Sequence, residues 1–194
     1  MRPGAALHSS KNDSWVTPQN IVNRAHTLFG GPPDLDPASS PEANGMMRAK
    51  QIITREQDAL TVDWPVVDTL WLNPPGGKLR GKSMAGLFWG RFVWAYRHGR
   101  FKRGLFLGFS LNILQVAQAY DVVPPTDFPL CIPRNRISFV LPDESGTSYH
   151  EGGSATHPNV IVYAGPRGWD DDRFLAAFGG LGATSFPTSR VPRG

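Results

Sequence analysis

Cysteine is almost absent from this 194-residue chain: there is one, Cys131, which excludes an intrachain disulfide. No apolar run approaches the ~18 residues of a membrane span. The first residues, MRPGAALHSSKNDS, hold no apolar segment of signal-peptide length. A cytoplasmic protein with no membrane partner is therefore expected. The five histidines (8, 26, 98, 150 and 157) form no recognisable ligand set with Cys131, so no metal centre is expected either. Charge is also nearly balanced. Lys plus Arg number 20 against 16 for Asp plus Glu, a surplus that permits an anionic partner without demanding one. Helix-turn-helix and zinc-finger patterns, internal repeats and a G-x-S-x-G nucleophile elbow are all missing; GFSLN at 108–112 fails the last because position 112 is Asn.

What is present argues for a globular chain. Hydrophobic residues make up 40% and aromatics 11%, with six Trp, enough apolar surface to offset the entropy of ordering. The length suits one domain, placed at 14–178 between tails at 1–13 and 179–194. Ser14 or Thr17 is positioned to cap a helix running from Pro18 to Phe29, which Gly30-Gly31 ends. DLDPASSPEANG, 34–45, reads as a loop after a very short strand. VDTLWL (67–72) and GLFLGF (104–109) read as buried strands, with helices expected at 84–98 and 113–120. Strands at 136–140 and 160–164 follow, with a polar loop and no helix between them. This order predicts an α/β fold with a mostly parallel sheet and an antiparallel edge hairpin.

Chemistry concentrates in NPPGGKLRGKS, residues 73–83, which admits two parses. GGKLRGKS satisfies the phosphate-loop pattern G-x-x-x-x-G-K-[ST], in which backbone N–H groups wrap phosphates and the Ser holds Mg²⁺. Against it, neither GLFLGFS nor NVIVYAG ends in the acidic residue such a metal site needs. NPP supports a different reading. The Asn73 amide oxygen and the Pro74 carbonyl would accept the two N–H bonds of an exocyclic amino group, and the fixed φ of proline would aim that carbonyl. A proline turn ending a buried strand accounts for the tripeptide as well.

The tripeptide has company. Trp15-Val16-Thr17-Pro18, Leu28-Phe29-Gly30, Asp34-Leu35-Asp36-Pro37-Ala38-Ser39, Asn44, Asp58-Ala59-Leu60, Asp63-Trp64 and Trp71-Leu72-Asn73-Pro74-Pro75 occur in that order. Together with Arg134-Asn135-Arg136-Ile137-Ser138-Phe139 and the stretch 158–165, they resemble the phage DNA N-6-adenine methyltransferase family over roughly residues 14–165. The resemblance implies a Rossmann-like S-adenosylmethionine-dependent methyltransferase fold, the cofactor S-adenosyl-L-methionine and a double-stranded DNA partner in a bacterial host. It places Thr17 and Pro18 near the methionine part of the cofactor, and Asp36, Pro37 and Ala38 in the loop beneath it. Asp58 would contact the adenosine, and Asn73, Pro74 and Pro75 would present the target amino group. Lys78, Arg80, Lys82, Arg134 and Arg136 are the DNA-contact candidates; each also reads as a solvated surface charge.

The chain departs from the family pattern at Gly76, where an aromatic that stacks on the flipped base is expected. Three explanations stand: substitution by Trp71, Phe88, Trp89 or Phe109, a target other than ordinary adenine, or loss of activity. Phe88, Trp89, Phe92 and Trp94 are otherwise expected in the helix core.

Overall fold

The computed structural model describes residues 15–108, 113–143, 148–154, 158–166 and 169–188. Thus the expected N-terminal tail, Phe109, His8 and His157 lie outside the described residues. In chain order the elements are α1 (Gln19–Phe29), β1 (Leu35–Asp36), α2 (Pro41–Met47), β2 (Gln51–Ile52), β3 (Val67–Leu72), β4 (Lys78–Leu79) and β5 (Lys82–Ser83). They continue with α3 (Met84–Arg97), β6 (Phe101–Gly108), α4 (Ile113–Ala119), a 3-10 turn at Pro125–Asp127 and β7 (Leu130–Pro133). The last are β8 (Ser138–Pro142), β9 (Tyr149–Ser154), β10 (Val160–Ala164), α5 (Trp169–Phe178) and β11 (Gly182–Ser185).

Seven strands form the central sheet in the order β11-β7-β10-β6-β3-β1-β2. β2, β1, β3 and β6 pair in parallel, whereas β10 runs antiparallel to both β6 and β7. β7 therefore points the same way as β6, so five strands share one direction and their carboxyl ends share one edge. This is the mostly parallel sheet of a Rossmann-like methyltransferase fold.

Both faces of the sheet are covered, which explains the unbroken apolar runs. Side chains alternate across a pleated strand. Leu70, Leu72, Phe106, Val160 and Val162 join the core beneath α3 and α4, while Trp71, Leu105, Leu107, Ile161 and Tyr163 join the core beneath α1 and α5. Trp89 anchors the first core, edge-on to Phe106 at 5.0 Å and to Phe128 at 5.5 Å, and its indole N–H donates to the Val123 carbonyl at 2.8 Å. Phe174 anchors the second, stacked on Tyr163 and Phe178. Cys131 is buried there, and burial pushes its thiol pKa up to about 11, away from reactivity.

Several sequence expectations need correction. Pro18, not Ser14 or Thr17, occupies the cap of α1, and no side chain bonds there. Residues 34–45 are not all loop: Ser40 accepts from the Ala43 N–H at 3.2 Å and starts α2. The polar stretch after 140 contains β9, and the β8–β9 hairpin is a separate two-stranded sheet, not the edge of the main one. The antiparallel edge is β11 on β7. Residues 182–185 were expected in a tail, but Gly182, Ala183, Thr184 and Ser185 register against Pro133, Ile132, Cys131 and Leu130. A polar strand on a sheet edge needs no apolar run, so its sequence resembles a tail. Trp94 also leaves the core: it is 38% exposed, covered by the Arg91 guanidinium at 4.7 Å and stacked on His98 at 4.3 Å.

Candidate active site

The carboxyl edge of the sheet gathers the singled-out residues. Asp36 ends β1, Asn73 follows β3 directly, and Arg134 to Arg136 follow β7. Open α/β sheets bind ligands at this edge because strand ends there open into loops whose backbone and side chains are free to face a ligand.

Asn73 is held from the side. Its Nδ2 donates to Thr17 Oγ1 at 3.3 Å, joining residues 56 positions apart. Its Oδ1 is buried and has no hydrogen-bond partner among the described residues. An orphaned buried acceptor costs about 1–3 kcal/mol. Such a cost is tolerated where a ligand supplies the missing donor.

Thr17 reaches Asn73 because its segment is strapped to the β8–β9 hairpin. Val16 and Val140 exchange two backbone hydrogen bonds, at 2.9 and 3.1 Å, and Trp15 packs edge-on to Phe139 at 6.4 Å. Gly152 on β9 makes room for the indole: a Cβ there would stand 2.6 Å from the Trp15 ring. The separate hairpin thus closes one side of the site.

Asp36 is buried at 4% exposure. Its Oδ1 accepts from the Ala38 N–H at 3.1 Å, and the Ser39 side chain also bonds it. Burial outweighs both and pushes its pKa up to about 7. A carboxyl so placed fits a cationic ligand, whose charge would replace the hydration it has lost. Pro37 is buried beside it and Ala38 is half-buried. Pro18 is half-buried at the start of α1. Asn44 closes the loop after α2, its amide bonding both the N–H and the carbonyl of Ala49 at 2.7 and 3.1 Å. Asp58 is exposed in the loop after β2, with φ +55°, and its Oδ1 accepts from the Leu60 N–H at 3.1 Å. No hydrogen bond joins it to the Asn73–Thr17 pair among the described residues.

The phosphate-loop parse fails on geometry. Residues 78–83 are a β-hairpin, with Lys78 opposite Ser83 and Leu79 opposite Lys82. Arg80 and Gly81, at φ +49° and +82°, make its two-residue turn. The Ser83 hydroxyl accepts from the Gly86 N–H at 3.3 Å as the cap of α3, and Lys82 lies over the Tyr120 ring at 5.9 Å. Hairpin pairing leaves no continuous arc of N–H groups to wrap a phosphate. Lys78, Arg80 and Lys82 are all exposed on this hairpin, a few residues beyond Pro74 and Pro75.

Arg134 and Arg136 are exposed as well, in the loop before β8 and not on a strand. Asn159, which sequence reasoning missed, holds that loop to the site. Its Oδ1 accepts from the Ile137 N–H at 2.9 Å and its Nδ2 donates to the Gly108 carbonyl at 3.4 Å. The only sequence signal was a polar residue opening an apolar strand. Of the aromatics that were to replace the one missing at position 76, Trp71, Phe88 and Trp89 are 1%, 4% and 0% exposed, all in the core and out of reach of a base. Position 76 itself is open: a Cβ there would meet nothing within 4 Å.

Among the described residues no group of three or more His, Cys, Asp or Glu is arranged to hold a metal, and no helix is long and apolar enough to cross a membrane. Residues 4–88, just under half of the chain, match the model of the DNA N-6-adenine-methyltransferase (Dam) family, in agreement with the resemblance read from the sequence. A comparison with curated proteins finds no match.

Proposed function

We propose, on the premise of that family match, that the protein is an S-adenosyl-L-methionine-dependent enzyme that methylates the exocyclic N6 of an adenine flipped out of duplex DNA. The observation that carries this reading is the Asn73 amide, pinned by Thr17 at a strand end with its buried Oδ1 unpartnered. When bound, the cofactor supplies a methyl sulfonium that accepts the amine lone pair as the carbon–sulfur bond breaks. Asn73 Oδ1 and the Pro74 carbonyl accept the two amino hydrogens and draw the nitrogen lone pair out of conjugation with the ring. Fixing the amine this way supplies much of the rate, because it holds the nucleophile at near-attack distance. The surplus proton leaves to water after transfer, so no general base is required.

Asp36 fits the cofactor's positive charge, Thr17, Pro18, Pro37 and Ala38 line its path, and Asp58 offers an exposed carboxylate to ribose hydroxyls. Lys78, Arg80 and Lys82 on the hairpin and Arg134 and Arg136 in the loop after β7 supply exposed cations for DNA phosphates. Base flipping is required because the duplex hides the amino nitrogen from such a site.

Calorimetric titration with S-adenosylhomocysteine, with ATP and Mg²⁺ in parallel, tests the reading. Micromolar binding of the first and silence from the second are expected, followed by transfer of labelled methyl groups to unmethylated plasmid DNA and mapping of the modified base. Silence from S-adenosylhomocysteine with retained DNA binding selects instead a catalytically silent DNA-binding protein, a reading the glycine at position 76 favours.

A further inference from the structure

Four large apolar side chains stand exposed among the described residues: Val66, Leu79, Trp94 and Leu175. Leu79 differs from the others in its company. It is 40% exposed, follows Lys78 and precedes Arg80, and shares its face of the hairpin with Lys82, its cross-strand partner. Cations on both sides would draw a polyanion against this tip, and phosphate contact gives an apolar side chain nothing to do. Duplex DNA offers its most extensive apolar environment near the phosphates between the stacked bases, beyond what a single thymine methyl in the major groove provides.

The hairpin is built to hold such a side chain in position. Its turn is fixed by the left-handed Arg80 and Gly81. Its root is closed by the Met84 N–H on the Gly77 carbonyl at 3.0 Å and by the Ser83 N–H on the Tyr120 hydroxyl at 2.9 Å. Leu79 also lies six residues from Asn73, within about 20 Å even along a fully extended chain.

Flipping can be favoured either by stacking the base in the site or by filling the hole it leaves. Open space at position 76 removes the side chain expected for the first route, so the second has to carry more.

We propose that Leu79, carried by the basic hairpin 78–83, enters the base stack of duplex DNA in place of the extruded base. This inference rests on the DNA methyltransferase reading and adds the device that keeps the base out. Apolar wedges of this kind unstack a base step and untwist the duplex.

Two measurements on wild type and Leu79→Ala test it. The first relaxes a closed circular plasmid with topoisomerase in the presence of saturating protein and reads the topoisomer shift. The second follows methyl transfer to a duplex carrying the mapped site, either fully paired or with a mismatch opposite the target.

Wild type should unwind the plasmid. Leu79→Ala should bind DNA within about twofold of wild type, since its cations remain, yet lose the unwinding. Its transfer rate on the paired duplex should fall about tenfold to a hundredfold and recover with the mismatch, where unpairing is already done. Leu79→Met should behave as wild type. Unwinding that survives Leu79→Ala, a rate loss that the mismatch does not relieve, or a wild type that binds without unwinding overturns the wedge while leaving methyl transfer intact. Unwinding that depends on Leu79 in a protein that transfers no methyl group keeps the wedge and sinks the enzymatic reading.

Discussion

Asp34 and Asp36 sit two residues apart, one just before the short strand β1 and one at its end, and their carboxyls are driven in opposite directions. Burial raises the pKa of both. At Asp34 it is outweighed by the Lys50 ammonium at 2.7 Å and by the Thr69 N–H and hydroxyl at 2.9 and 3.0 Å, so the carboxyl is held below its usual range. At Asp36 no cation answers, and the value climbs to about 7. On the amino-terminal side of the sheet, Asp34, Lys50 and Thr69 therefore satisfy one another and clamp the start of β1 to β3. The carboxyl edge is left incomplete, with Asp36 lacking a counter-charge and Asn73 Oδ1 lacking a donor. Proteins complete polar groups that serve the fold, so two open ones on the same edge mark where a ligand is to complete them.

If that contrast is right, breaking the open end should cost activity and breaking the closed end should cost stability. Asn73→Ala should lower kcat by about a hundredfold to a thousandfold, the loss typical of one donor or acceptor aimed at a transition state. The melting temperature should stay near that of wild type, and methyl-transfer assays beside thermal denaturation check both halves. Asp34→Ala should do the reverse. It strands the Thr69 N–H and hydroxyl and should cost about 1.5–3 kcal/mol in denaturant unfolding, with turnover per folded molecule unchanged.

Asp36 gives a pH signature. The unfolded chain releases this proton near 3.8 and the folded chain near 7, so between these values the folded state binds more protons. Its contribution to stability is thus full below about 4 and declines as pH rises to about 7, by about 1.4 kcal/mol for each unit separating the two values. Asp36→Asn should flatten that decline in chemical denaturation from pH 4 to 8. It should also weaken S-adenosyl-L-methionine, whose affinity for wild type should strengthen as pH rises to about 7.

The smallest effect belongs to Thr17→Val, which removes one neutral hydrogen bond to Asn73. A kcat about fivefold lower follows from a bond of about 1 kcal/mol; Thr17→Ser should restore it, whereas a role in folding alone would show as a lower melting temperature with kcat intact.

Much of the fold was legible because burial on both faces writes itself into composition: VDTLWL and GLFLGF read as strands for the reason that makes Trp71 and Leu105 core residues. The sheet edge was not legible, since GATS at 182–185 is polar and small, and its pairing with β7 is decided by backbone. The site divided the same way. Motif order singled out Asn73, Thr17 and Asp36 as candidates, whereas Asn159, Trp15 and Gly152 enter the candidate site only through partners far along the chain.

The sequence by itself determined the chemistry: which side chains can accept an amino group, which carry positive charge, and that NPP closes a buried strand. Tertiary structure decided between the two parses of NPPGGKLRGKS, because a letter pattern is blind to backbone conformation. Left-handed Arg80 and Gly81 turn it into a hairpin rather than a phosphate loop. It also decided that Asn73 should meet Thr17, a contact made by the strap between Val16 and Val140 and invisible to any local reading.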